Sequence, residues 1–120
     1  MSLFAKKRGV NLNDLMELHK DMFGLFYAFV MYCSYKSLPC KITSIKDLAT
    51  GRVSTTHETG RAVDISTRGW SVDDIDDALI HFNRGYENIG AISFRDGVSR
   101  ALVYHRVKGS RYHFHLQVRP

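Results

Sequence analysis

The chain has 120 residues, 44% of them hydrophobic and 24% charged, with two prolines. That is the size of one ordinary domain, apolar enough for a single core and too apolar for a disordered or collagen-like chain. Seventeen Lys and Arg against twelve Asp and Glu leave a formal charge of +5 with histidine neutral, which favours anionic partners such as nucleic acid, acidic glycopolymer or lipid headgroups.

Residues 1–10 form a basic arm containing Lys6, Lys7 and Arg8. No apolar run or small-residue cleavage site follows that charge, so the reading is of a protein made in a cytoplasm without a signal peptide. From Leu12 onward Leu15, Met16, His19, Phe23, Phe26, Tyr27, Val30 and Met31 recur at helical spacing, which predicts one long helix capped by Asn11 or Asn13 and stopped by Pro39. Its most apolar stretch, Met22 to Cys33, is about a dozen residues against the roughly 20 that cross a bilayer, so it reads as a core helix and not a membrane span. Cys33 and Cys40 are too few for a disulfide scaffold and form no C-x-x-C pair, so they read as packed thiols.

Lys41 to Ile45 reads as a short strand, Lys46 to Thr56 as a polar loop and Arg61 to Ile65 as a second strand. Ser71 caps a second helix whose buried stripe is Val72, Ile75, Leu79 and Phe82; the acidic Asp73, Asp74, Asp76 and Asp77 suit its dipole and lack the glycine and glutamate of a calcium loop. Three strands follow, Asn88 to Phe94, Arg100 to Val107 and Arg111 to Val118, joined by turns at Asp96-Gly97 and Lys108-Gly109-Ser110. The order predicts a single α+β domain over residues 1–120, with two helices and a mostly antiparallel sheet.

The last strand alternates. Tyr112, Phe114, Leu116 and Val118 take one face, and Arg111, His113, His115, Gln117 and Arg119 take the other. Two imidazoles at i and i+2 stand roughly 7 Å apart on one side of a strand, a common way to bring both to one metal or one reacting atom. Upstream, His57 lies in a polar loop and Asp64 on the strand after it, and Gly60 permits the bend that lets them converge beside the small Ala62. Imidazole, carboxylate and imidazole make a three-ligand zinc set with one position left for water, and the second histidine of the pair is placed to move protons.

His57-x-x-Gly60-x-Ala62-x-Asp64 followed by His113-x-His115 resembles the LAS metallopeptidases, named for lysostaphin, D-alanyl-D-alanine metallopeptidases and sonic hedgehog. The first block is similar to the S-x-H-x-x-G-x-A-x-D signature of the branch that holds D-alanyl-D-alanine carboxypeptidases, L-alanyl-D-glutamate endopeptidases and phage endolysins, with Thr55 in place of its serine. The resemblance runs from about Ile42 to Val118. It implies a LAS/hedgehog-like fold, Zn2+ held by His57, Asp64 and His115, and His113 as catalytic base or transition-state stabiliser. Many members carry an acidic residue three positions before the last ligand, where this chain has Tyr112; the base would then be His113. Either Lys46 or Arg52 would fill the role of the family's loop arginine, with Arg52 taken as the oxyanion- or carboxylate-binding candidate.

The resemblance thus implies a zinc peptidase of the phage-endolysin type, made in a host cytoplasm and acting on stem or cross-link peptides of peptidoglycan at the cell wall, with no nucleic-acid partner. Two other readings are weighed against it. One is a hedgehog-like domain that binds zinc without catalysis. The other is a DNA-nicking protein of the HUH type, in which His113 and His115 hold a divalent metal and a tyrosine of the Tyr32 to Lys36 segment attacks a phosphodiester. His19, His81 and His105 fall outside the ligand set, with His105 one strand from His115 and able to support it.

Overall fold

The structure is a computed structural model and describes residues 3–45, 59–106, 109 and 111–120. A five-stranded sheet carries strands β1 (Ala5–Lys6), β2 (Lys41–Ser44), β3 (Ala62–Ser66), β6 (Leu102–His105) and β7 (His113–Gln117) in the order β1-β2-β3-β7-β6. Every pairing in it is antiparallel except the parallel edge pair of β1 and β2. Strands β4 (Ala91–Ile92) and β5 (Ser99–Arg100) form a separate small hairpin. Three helical segments complete an α+β fold: a 3-10 segment Leu12–Glu17, α1 (Lys20–Lys36) and α2 (Val72–Gly85).

The single helix expected from Leu12 is two pieces. Asn11 caps the 3-10 segment by accepting from Asn13 N–H. The backbone then extends through Leu18 and His19, where the His19 N–H donates to the Gly60 carbonyl at 3.0 Å, and α1 restarts with the Asp21 N–H donating to His19 Nδ1 at 3.2 Å. The helix ends at Lys36, where Ser37 takes a left-handed conformation and Leu38 N–H closes on the Cys33 carbonyl. The buried face also differs from the expected one. Met22, Leu25, Phe26, Phe29, Val30 and Cys33 point inward, while Phe23, Tyr27 and Met31 are exposed. Between Lys20 and Lys36 the one charged residue is Asp21, so the helix is apolar nearly all round and its periodicity does not define one face.

Helix α2 follows its sequence signals more closely. The Asp74 N–H donates to Ser71 Oγ and the Ser71 N–H returns to the Asp74 carboxylate, a capping box that satisfies two open donors. Ile75, Ala78 and Phe82 are buried; Val72, in the first turn, is exposed and does not belong to the stripe. Both thiols are buried and free, and contact with Cys40, together with burial, pushes the Cys33 thiol far above its ordinary range.

The helices cover one face of the sheet. Val63, Ile65, Leu102, Phe114 and Leu116 have no exposed area, and Phe29 of α1 sits among Trp70, Phe82 and Phe114 at ring separations of 6.0, 5.2 and 5.8 Å. Tyr112, expected to join this face, is half-exposed and stacks on Tyr104 at 5.1 Å. The expected strand from Asn88 to Phe94 is reduced to β4, and the Asp96-Gly97 turn closes its hairpin with β5. There Arg100 and the Val98 N–H hold the Asp96 carboxyl down to about 2. The basic arm expected over residues 1–10 contains the edge strand β1, paired with β2.

One polar side chain ties α2 to the sheet. Asn83 Oδ1 accepts from the Ala101 and Leu102 N–H groups at 2.8 and 2.9 Å, and its Nδ2 donates to the Leu102 carbonyl at 2.9 Å. Asn83→Ala strands three backbone groups in a part-buried site and is expected to cost about 1–3 kcal/mol. Urea denaturation with an unchanged slope and a lowered midpoint is the expected readout.

Candidate metal centre

The face of the sheet away from the helices carries the chemistry. Directly opposed residues of antiparallel strands share a face with their Cβ atoms about 4.5–5.5 Å apart. The register places Asp64 of β3 opposite His115 of β7, and His113 opposite His105 of β6. One carboxylate and three imidazoles are therefore gathered by three adjacent strands. The register of β3, β6 and β7, with the period of two along β7, puts all four on the same face of the sheet.

Asp64 is 2% exposed and His115 7%. His115 Nδ1 lies 2.7 Å from Asp64 Oδ1, and His113 Nε2 lies 3.6 Å from Asp64 Oδ2. Because a carboxylate oxygen only accepts, His115 Nδ1 carries the proton of that short bond. His113 Nδ1 lies 3.0 Å from the Arg111 carbonyl, so it too carries a proton. In neutral His113 the lone pair of Nε2 then faces the carboxylate. That nitrogen is buried and has no hydrogen-bond partner among the described residues. A cation between these two electron-rich groups would satisfy both. The His105 ring lies 4.9 Å from that of His113 and 5.3 Å from that of His115.

Asp64 and His115 have the donor types of a zinc site. Donors sharing a tetrahedral zinc at about 2.0–2.1 Å stand about 3.3 Å apart, so the 2.7 Å contact between them is the proton-bridged form, and binding a metal there would release that proton. Among the described residues no group of three His, Cys, Asp or Glu is placed to hold a metal ion. The expected third ligand, His57, lies outside the described residues, as do Lys46 and Arg52. Gly60, the expected hinge, does take a left-handed backbone with φ +70°, and a Cβ on it would stand 2.7 Å from the Glu17 carbonyl oxygen. That close approach anchors the start of β3 against the 3-10 segment.

No protein family, curated protein or solved structure matches the chain.

Two features of the site bear on the sequence readings. Tyr112, at the position where an acid would otherwise serve as base, stacks on Tyr104 and Tyr104 contacts Phe114, on the face away from Asp64. Tyr32 packs against His81 and Phe82 of α2, in the helix layer on the far side of the sheet from His113 and His115. His105 is the residue that sequence reasoning left outside the site: alternation along its strand gives its face, but its level opposite His113 depends on the β6–β7 register.

Proposed function

We propose that the chain is a zinc-dependent peptidase that cleaves stem or cross-link peptides of peptidoglycan, with a LAS/hedgehog-like arrangement of its sheet. The observation that supports this most is the convergence of Asp64, His113 and His115, the residues of the two motif blocks that lie in β3 and β7, around one buried carboxylate. A zinc ion in such a site supplies Lewis acidity and a bound water that ionises near neutral pH. Asp64 and His115 would hold it together with His57. His113, its Nδ1 anchored on the Arg111 carbonyl, keeps Nε2 directed into the site to take a proton and return it to the leaving amine. Arg52 or Lys46 would bind the developing oxyanion or a substrate carboxylate. The charge of +5 suits an acidic wall, and the size and pattern fit an endolysin made in a host cytoplasm. Among the described residues no helix is long and apolar enough to cross a membrane.

The test is metal analysis joined to digestion of purified sacculi. About one zinc per chain is expected, with new amino termini released from the sacculi, loss of release on chelation and its return with zinc. Mass spectrometry of the muropeptides then identifies the bond. Cleavage indifferent to chelation sinks the zinc mechanism. Bound zinc without cleavage of any muropeptide supports the non-catalytic hedgehog-like reading in its place.

A further inference from the structure

Helix α1 has a second apolar face that none of the described residues covers. At 3.6 residues per turn, Phe23, Gly24, Tyr27, Met31, Ser34 and Tyr35 share its outward side, and all are exposed. A helix that is apolar all round is ordinarily buried all round. Gly24 sharpens the point: mid-helix glycine weakens a helix, and a Cβ there would meet none of the described residues within 4 Å, so no packing among them accounts for it.

By size class, these residues follow the same order in both directions. Reflected about position 29, Phe23 exchanges with Tyr35, Gly24 with Ser34 and Tyr27 with Met31, giving large, small, large, large, small, large. An interface with two-fold symmetry requires such self-complementarity, since each residue meets its counterpart twice. We infer that two copies of this chain associate through α1, antiparallel, about a two-fold axis at the level of residue 29. Phe23 then packs against Tyr35 of the second copy, Tyr27 against Met31 as a sulfur–aromatic pair, and Gly24 opposite Ser34 lets the backbones approach. At the Phe23 end of the helix a groove of about 220 Å3, lined by Leu3, Phe4, Leu15, Phe23 and Tyr27 among others, receives the Tyr35 ring of the second copy.

The area is adequate. Leu3, Phe23, Tyr27, Met31 and Tyr35 are 53%, 47%, 61%, 42% and 86% exposed; at about 200 Å2 for each large apolar residue they present about 580 Å2 per copy. A standard-size, non-obligate interface buries about 800 Å2 a side, about 57% of it apolar, and so needs about 450 Å2. A lipid surface is the less suitable occupant. A helix seated on lipid lines its polar flank with Lys and Arg, whereas the charges of α1 sit at its ends, at Lys20, Asp21 and Lys36, and its other flank is core.

Sedimentation equilibrium of the full chain tests this without reference to the metal. A dimer with a dissociation constant at or below about 10 µM is expected, raised about 100-fold or more by Tyr27→Glu, which sets two carboxylates near the axis. Met31→Ala, a milder change, should weaken it about 10-fold and serves if Tyr27→Glu does not fold. Oxidising a mixture of Gly24→Cys and Ser34→Cys copies should give a disulfide-linked pair that neither variant forms alone; the native cysteines are buried and do not compete. A monomer at about 100 µM overturns the inference. So does a dimer that tolerates both substitutions with an unchanged melting curve, or a monomer that co-sediments with phosphatidylserine vesicles through the same face.

Discussion

Asp64→Ala should remove bound zinc and lower peptidoglycan cleavage by about 10³-fold or more, the largest functional effect of any single change in the sheet. Asp64 accepts from His115 Nδ1 at 2.7 Å and lies 3.6 Å from His113 Nε2. On the proposed function its loss takes away a metal ligand and the group that orients the His115 imidazole, and the activity lost corresponds to about 4 kcal/mol of transition-state stabilisation. Three variants separate the roles. In Asp64→Asn the amide oxygen still accepts from His115 Nδ1 but carries no charge, so the fold should be kept and zinc lost. Asp64→Ala also leaves a buried imidazole N–H without its acceptor, a further cost of about 1–3 kcal/mol in stability. His113→Ala should retain about one zinc per chain and lose turnover, because on this reading His113 moves protons and is not a ligand. Zinc content by elemental analysis, melting temperature and the rate of amino-terminus release are measured on each. Full activity in Asp64→Ala, or zinc lost from His113→Ala with Asp64→Asn unaffected, contradicts the assignment.

The residues of that site were legible because a β-strand has a rigid period of two. Once Phe114, Leu116 and Val118 are assigned to the core, His113 and His115 must face away from it, and the same alternation puts Asp64 opposite to Val63 and Ile65; the structure pairs these strands in the register that brings the two sets together. Helix α2 was legible for a related reason, since its charges mark the solvent side and Ser71 and Asp74 mark its start. Helix α1 offered no such contrast: with apolar residues on every side, spacing selected the exposed Phe23, Tyr27 and Met31 together with the buried Phe26 and Val30, and passed over Met22, Leu25 and Phe29, which are fully buried. The break at Leu18 and His19 was also invisible, because it follows from a bond to the Gly60 carbonyl, 41 positions away in sequence. His105 and Asn83 belong to the same class. Each acts through a partner fixed by long-range register, and nothing local in their segments announces it.

Phe29→Ala is expected to be the most destabilising of the core truncations, at about 3–5 kcal/mol. Phe29 has no exposed area and among the described residues is the one ring that touches a residue of the second helix, Phe82, the loop residue Trp70 and the interior strand β7 through Phe114. Its removal opens a cavity where both helices meet the sheet, and the surrounding rings are too rigid to collapse into it. A domain of this size holds about 5–15 kcal/mol in all, so the variant should lie near the edge of folding, with a melting temperature lowered by about 10–20 °C. Phe29→Leu retains most of the volume and should cost under half as much. The effect reaches the site because Phe114 lies between His113 and His115 on β7: its ring is what holds that strand against the helices, and therefore what holds the two imidazoles at their level beside Asp64. Below its melting temperature Phe29→Ala should consequently bind zinc more weakly than Phe29→Leu, although neither residue approaches the metal donors. Equal zinc affinity in the two folded variants would mean that β3 and β7 set the site geometry through their hydrogen bonds alone, independently of the aromatic core beneath them.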